Sequence, residues 1–171
     1  MKAMKKLNEK EIIRIFRQKK NIAEDVELFH LGKELCAANI DTLVESTDIP
    51  AKSDLVDVAR KSVVSSVSDF AAKGIIPKFC IISVTIPKTL SKNQITKMAT
   101  GFRKACGEFD LELLGGDTNE GKEIVIHVVL FGKADKIVTR SGARNGDIII
   151  TTGPFGYTSS ALQILLKKKK S

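Results

Sequence analysis

The sequence predicts an α+β fold, with a mixed or antiparallel sheet and helices packed on one of its faces. Two long segments, residues 54–73 and 91–106, carry apolar residues at spacings of three and four, the period of an amphipathic helix. Two others, residues 79–86 and 124–132, are apolar and β-branched runs of strand length. The elements follow one another as helix, strands, helix, strand, helix, strand, strand, which suits a sheet covered by helices.

Residues 8–20 open the chain as an amphipathic helix, which Asn8 can cap and whose apolar face holds Ile12, Ile13 and Phe16. Two short strands follow at 26–31 and 35–40, joined around Gly32-Lys33, and Pro50 punctuates the next loop. Ser53 or Asp54 caps the long helix, in which Val56, Ala59, Val63, Val67 and Phe70 recur on one stripe. Gly74 stands where a helix C-cap favours glycine. The strand 79–86 ends at Pro87, and Ser91 starts the second long helix, which runs to about Cys106 before Gly107. A short apolar strand at 111–114 leads into Gly115-Gly116, and 124–132 and 148–152 are read as further strands. Thr-Gly-Pro-Phe-Gly (152–156) and a helix from 158 to 166 look like the start of another unit. The expected division is an N-terminal domain over 1–147 and the beginning of a truncated second domain over 148–171.

A chain of 171 residues, 43% hydrophobic and 28% charged, has the composition of an ordinary globular domain. No apolar run reaches the length of a membrane span and the basic N-terminus lacks a signal-peptide core, so no membrane partner is expected and the address read from the sequence is cytoplasmic. The net charge of +8 resembles a nucleic-acid signal, but Lys167–Lys170 supply four of those charges at the chain's end. With a single tyrosine, no tryptophan and no interleaving of aromatic and basic residues, nucleic acid is not the expected partner. Cys36, Cys80 and Cys106 have no Cys-x-x-Cys spacing and read as buried free thiols; His30 and His127 read as packed or surface histidines.

The chemistry lies in four aspartates and a glycine pair. Leu-Leu-Gly-Gly-Asp-Thr (113–118) sets Gly115 and Gly116, whose backbones can approach a phosphate closely, directly before Asp117. Asp25 precedes the first short strand, Asp41 follows the second, and Asp69 falls late in the long helix. Asp69 is flanked by Phe70, Ala71 and Ala72, and a carboxylate packed among such residues costs free energy unless it is paired or metal-bound. Several aspartates with phosphate oxygens offer the hard ligands that Mg²⁺ takes. Arg140, in Thr-Arg-Ser-Gly-Ala-Arg-Asn-Gly-Asp (139–147), is the candidate guanidinium for a phosphate. Neither a P-loop nor a kinase glycine-rich loop is present, and no Ser-His-Asp arrangement can be drawn.

Taken in order, Asp-Thr-Leu-Val-Glu-Ser-Thr-Asp (41–48), Ser-Asp-Phe-Ala-Ala-Lys-Gly (68–74), Gly-Gly-Asp-Thr (115–118), the 139–147 segment and Thr-Gly-Pro-Phe-Gly (152–156) resemble the thiamine-monophosphate kinase family. That family lies within the superfamily of aminoimidazole ribonucleotide synthetase. The resemblance covers roughly residues 25–166. It implies ATP-dependent phosphorylation of thiamine monophosphate to thiamine diphosphate with Mg²⁺, and a homodimer in which the sheet pairs with that of a second subunit. By motif position it makes Asp25, Asp41, Asp69 and Asp117 metal ligands, Gly115, Gly116 and Arg140 ATP contacts, and Asp48 a substrate contact.

Two motifs depart from the family pattern. Its Gly-Asp-Asp is Ala23-Glu24-Asp25 here, and its Ser-Thr-Asp is Asn39-Ile40-Asp41, which loses a hydroxyl ligand. The resemblance also implies a second domain, of which this chain carries only the opening, so little turnover is expected from these residues alone. The alternatives are another ATP-using superfamily enzyme, of the hydrogenase-maturation or aminoimidazole ribonucleotide synthetase type, or a non-catalytic nucleotide-binding or dimerisation module.

Overall fold

A computed structural model describes residues 7–16 and 24–167. Helix α1 (Glu9–Phe16) begins in a reciprocal cap: the Asn8 side chain accepts from Glu11 N–H at 3.0 Å, and Glu11 accepts from Asn8 N–H at 2.8 Å. The continuation of this helix over 17–20 that the sequence suggests lies outside the described residues. Strands β1 (Glu27–Leu31) and β2 (Glu34–Val44) form a hairpin turning at Gly32, whose φ of +63° suits glycine. A single-turn helix α2 (Glu45–Asp48) leads to α3 (Leu55–Ala72), capped by Asp54 through Val56 N–H. Next come β3 (Phe79–Ile86), α4 (Lys92–Glu108), β4 (Glu112–Glu120), β5 (Val125–Lys133) and α5 (Tyr157–Lys167).

The five strands form one mixed sheet in the order β1-β2-β5-β3-β4, in which only β3 and β4 run parallel. Helix α4 is the crossover between those two strands, as a parallel pair requires. Helix α3 lies against β2 and β5, and α4 lies against α3. The core therefore sits on one face of the sheet, where Ala37, Leu43, Cys80, Ile126, Val128 and Leu130 meet Val63, Phe70, Met98 and Phe102. Helices α3 and α4 touch closely at Gly101, where a β-carbon would stand 2.3 Å from the Val56 carbonyl oxygen.

Helix α3 ends as Gly74 predicts. With φ at +70°, its N–H donates to Ala71 O at 3.0 Å while Ile75 N–H donates to Phe70 O at 3.0 Å, closing a Schellman motif. This turn sets the lower end of α3, with Asp69 and Lys73, beside the segment that enters β1.

Four expectations change. Strand β2 runs on to Val44, so Asp41 lies within it rather than after it. Strand β4 extends to Glu120, so Gly115, Gly116 and Asp117 are strand residues, not a loop beyond the strand. Helix α4 passes through Gly107 and ends at Glu108, with Phe109 N–H donating to Ala105 O at 3.2 Å. Residues 148–152 are not a strand: they pair with neither edge of the sheet, β1 or β4.

Candidate nucleotide and metal site

Alternation along β2 separates the candidate residues. Ala37, Asn39, Asp41 and Leu43 point to the helix face, while Ala38, Ile40 and Thr42 point to the open face. Asn39 is buried, and its amide nitrogen donates to the Ser66 carbonyl at 3.0 Å and to Asp69 Oδ2 at 3.4 Å. Asp69, Asn39 and Asp41 thus gather where α3 covers β2. Burial pushes the Asp69 carboxyl above its ordinary range; the Asp41 charge adds to this, the Asn39 bond opposes it, Asp25 adds again, and Arg140 opposes. The Asn39 carboxamide oxygen is buried and accepts no hydrogen bond from the described residues.

Asp25 stands at the edge of this group, in the segment entering β1. The Arg140 guanidinium closes on it as a fork, with Nε donating to Asp25 Oδ2 at 3.1 Å and Nη2 reaching both carboxylate oxygens. The hydrogen bonds to Asp25, and then the charge of that carboxylate, raise the affinity of Arg140 for its proton. The neighbouring Glu24 accepts from the backbone N–H of Arg140 at 3.4 Å and from the buried ammonium of Lys73. The Lys73 bond draws the Glu24 carboxyl below its ordinary range. Lys73 also accepts at its carbonyl from Val138 N–H at 3.1 Å, so one residue at the end of α3 holds both the 24–25 and the 138–140 segments.

Asp48 takes a structural part. Its carboxylate accepts from Val44 N–H at 2.8 Å and Thr47 Oγ1 at 3.0 Å, and its carbonyl accepts from Lys61 Nζ at 2.8 Å. A small cleft of about 130 Å³ opens here, lined by Asp41, Thr42, Leu43, Asp48, Lys61, Ser62 and Ser65. Asp41 and Asp48 therefore share one wall with a lysine.

Asp117 stands apart. Its row across the sheet is Thr42, His127, Ser83, Asp117, which faces away from the helices. Asn119, two residues on, donates to Asp117 Oδ2 at 2.7 Å from that same side, and Thr42 Oγ1 lies 2.8 Å from His127 Nδ1. Backbone conformation calls for glycine at 115, and packing calls for it at 116. The register slips between Cys80 and Ile81, leaving Leu114 as a bulge, after which Gly115 has φ of +151°. A β-carbon on Gly116 would fall 1.7 Å from the Ile82 carbonyl oxygen.

The four aspartates do not converge: among the described residues no three ligating side chains are close enough to hold an ion. Mg²⁺, however, usually takes one or two carboxylates plus phosphate oxygens and waters rather than an all-protein cage. One or two of the carboxylates Asp25, Asp41 and Asp69, completed by phosphate oxygens and waters, would meet that requirement. Sequence reasoning missed Asn39, Glu24 and Lys73. The signal for Asn39 was its place between Ala37 and Asp41 on the inward positions of β2. Ile40, whose residue type seemed to cost a ligand, points to the opposite face and away from Asp69.

Sheet, helices and carboxylates together make an α+β domain with acidic residues gathered on its helix-covered face. The model of the AIR synthase related protein family, N-terminal domain, matches residues 23–134, and the chain belongs to that family. The thiamine-monophosphate kinase of Nitrosopumilus maritimus (strain SCM1) is 58% identical over 170 residues, covering 98% of this chain and 54% of that protein. The thiamine-monophosphate kinase of Pyrococcus horikoshii is 30% identical over 167 residues, covering 96% of this chain and 54% of that protein. The chain spans about half the length of the curated relatives it matches. A solved structure described as AaThiL complexed with AMPPCP and TMP superposes with a TM-score of 0.90 at 27% identity, over 100% of this chain and 57% of that one.

Proposed function

We propose that this chain is the ATP- and Mg²⁺-binding portion of an enzyme that phosphorylates thiamine monophosphate to thiamine diphosphate. The observation that carries this reading is its 58% identity, over nearly all of its length, to a protein named thiamine-monophosphate kinase. Likeness to a structure complexed with AMPPCP and TMP supports ATP and thiamine monophosphate as the ligands. In the proposed reaction the γ-phosphoryl group passes from ATP to a phosphate oxygen of thiamine monophosphate, and ADP leaves. Carboxylates among Asp25, Asp41 and Asp69, together with phosphate oxygens, would hold Mg²⁺, which would supply charge neutralisation for the transferring group. Arg140 grips a nucleotide phosphate, Gly115 and Gly116 let the nucleotide approach β4, and Asp48 with Lys61 shapes the substrate cleft. Asp117, on the other face, holds metal only with groups that come from beyond its own row.

A homodimer formed through the open face of the sheet completes the proposal. That face exposes Phe29, Ile40 and Phe79 around half-buried Ile81, Val129 and Phe131, an apolar surface suited to a second copy. Residues 148–171 are assigned to a second unit, because Ile148, Ile149 and Ile150 are at least 84% exposed and pack on nothing in the first. No helix among the described residues is long and apolar enough to cross a membrane, and we assign the protein to the cytoplasm.

Calorimetry of the 171-residue chain with AMPPCP, with and without Mg²⁺, tests the binding part. Heat that depends on Mg²⁺ is the expected result. Chromatographic detection of thiamine diphosphate from ATP and thiamine monophosphate tests the reaction, with trace turnover expected from this chain. AMPPCP binding that is indifferent to Mg²⁺ would overturn the roles given to the aspartates.

A further inference from the structure

We infer that Arg140 is an exchangeable counter-ion: it occupies Asp25 until metal arrives, then releases that carboxylate and turns to the nucleotide phosphate. The inference rests on the function proposed above and adds to it an order of events. The fork on Asp25 uses both carboxylate oxygens, the same lone pairs that a metal ion needs. Guanidinium and metal therefore compete for one group, and Asp25 cannot serve both at full strength.

The surroundings make the exchange a side-chain event. The two backbones are pinned independently of the fork, since Glu24 is tied to buried Lys73 and Val138 donates to the Lys73 carbonyl. Arg140 and Asp25 side chains are 57% and 39% exposed, so the guanidinium can swing without opening the core. Exposed ion pairs are weak, and a divalent ion accompanied by a nucleotide can outcompete one.

The exchange predicts opposite effects on two ligands from one substitution. Mn²⁺ serves as the probe for metal, read by electron paramagnetic resonance without nucleotide, and AMPPCP as the probe for nucleotide, read by calorimetry. Arg140→Met should bind Mn²⁺ roughly two- to fivefold more tightly than the parent chain, the range set by loss of an exposed pair. It should bind AMPPCP more weakly. Asp25→Asn should lose Mn²⁺ binding whether or not Arg140 is replaced. Arg140→Lys, which keeps the charge and loses the fork, should fall between Met and the parent. Mn²⁺ binding in the parent that Arg140→Met leaves unchanged or weakens overturns the exchange and leaves the metal site standing. Failure of every variant to bind Mn²⁺ overturns both.

Discussion

Asp41 and Asp117 belong to neighbouring rows of one sheet and point to opposite faces. Asp41 shares its row with Val128, Ile82 and Gly116, on the helix side; Asp117 follows Gly116 and shares its row with Ser83 and His127 on the open side. Within a single chain the two carboxylates cannot grip the same ion. Asp41→Asn should therefore weaken Mn²⁺ binding by the isolated chain, while Asp117→Asn should leave that binding within twofold and act only where a second copy covers the open face. Titration of Mn²⁺ at protein concentrations above and below the dimerisation midpoint reads the difference, and equal losses in both variants at low concentration would refute the separation.

Asp69 is held for something other than stability. Burial, with Asp41 and Asp25 nearby, raises its folded-state pKa above the unfolded value. The folded state then binds more protons than the unfolded one, and this group's contribution makes stability fall as pH rises through the raised pKa. Asp69→Asn removes that burden. Its melting temperature at pH 7 should rise by roughly 2 °C, with the gain vanishing at pH 4, and metal binding should be lost. Parallel thermal melts at the two pH values check the sign.

Glu24 gives the reverse slope. Its carboxyl is drawn down chiefly by the Lys73 bond, so it contributes stability above the ordinary carboxylate range that is lost as pH falls through the lowered pKa. Lys73→Met should lower the melting temperature at neutral pH and flatten the acid limb of the curve. The Lys73→Met, Glu24→Gln pair should be less damaged than Lys73→Met alone, because it leaves no half-buried carboxylate without its counter-ion.

Gly101→Ala tests the helix layer without touching the site. The added methyl meets the Val56 carbonyl at 2.3 Å and the Ala59 side chain at 2.8 Å, so α3 and α4 must separate. Overpacking of this kind costs about 1–3 kcal/mol, more than the helix propensity alanine adds. Urea denaturation should show that loss, with Mn²⁺ affinity unchanged in the folded fraction.

Helix periodicity and β-branched runs made the layered fold legible, down to the Asp54 cap and the Gly74 stop, because these are local effects. What local pattern could not supply was pairing. The sequence around 148–152 has strand character, but a strand exists only with a ladder partner, and this segment docks on neither sheet edge, β1 or β4. The Gly-Gly-Asp run suggested a loop for the same reason: only the parallel partner β3 draws it into an edge strand. For the site, residue types were readable and directions were not. Asn39 and Ile40 exchange significance once their alternate faces are known, and Asp25 meets Arg140 across more than a hundred residues of chain.

Gly116 has a consequence for anyone who maps this protein by mutation. Its α-carbon lies so near the Ile82 carbonyl that any side chain would force β3 and β4 apart, whether or not ATP is in the tube. A selection for growth would score the position as intolerant, and a reader would credit the nucleotide. Two demands share one codon, and only assays on purified, folded variants can tell them apart. Asp117, next in line with its carboxylate on the open face, is the cleaner informant on chemistry at that strand.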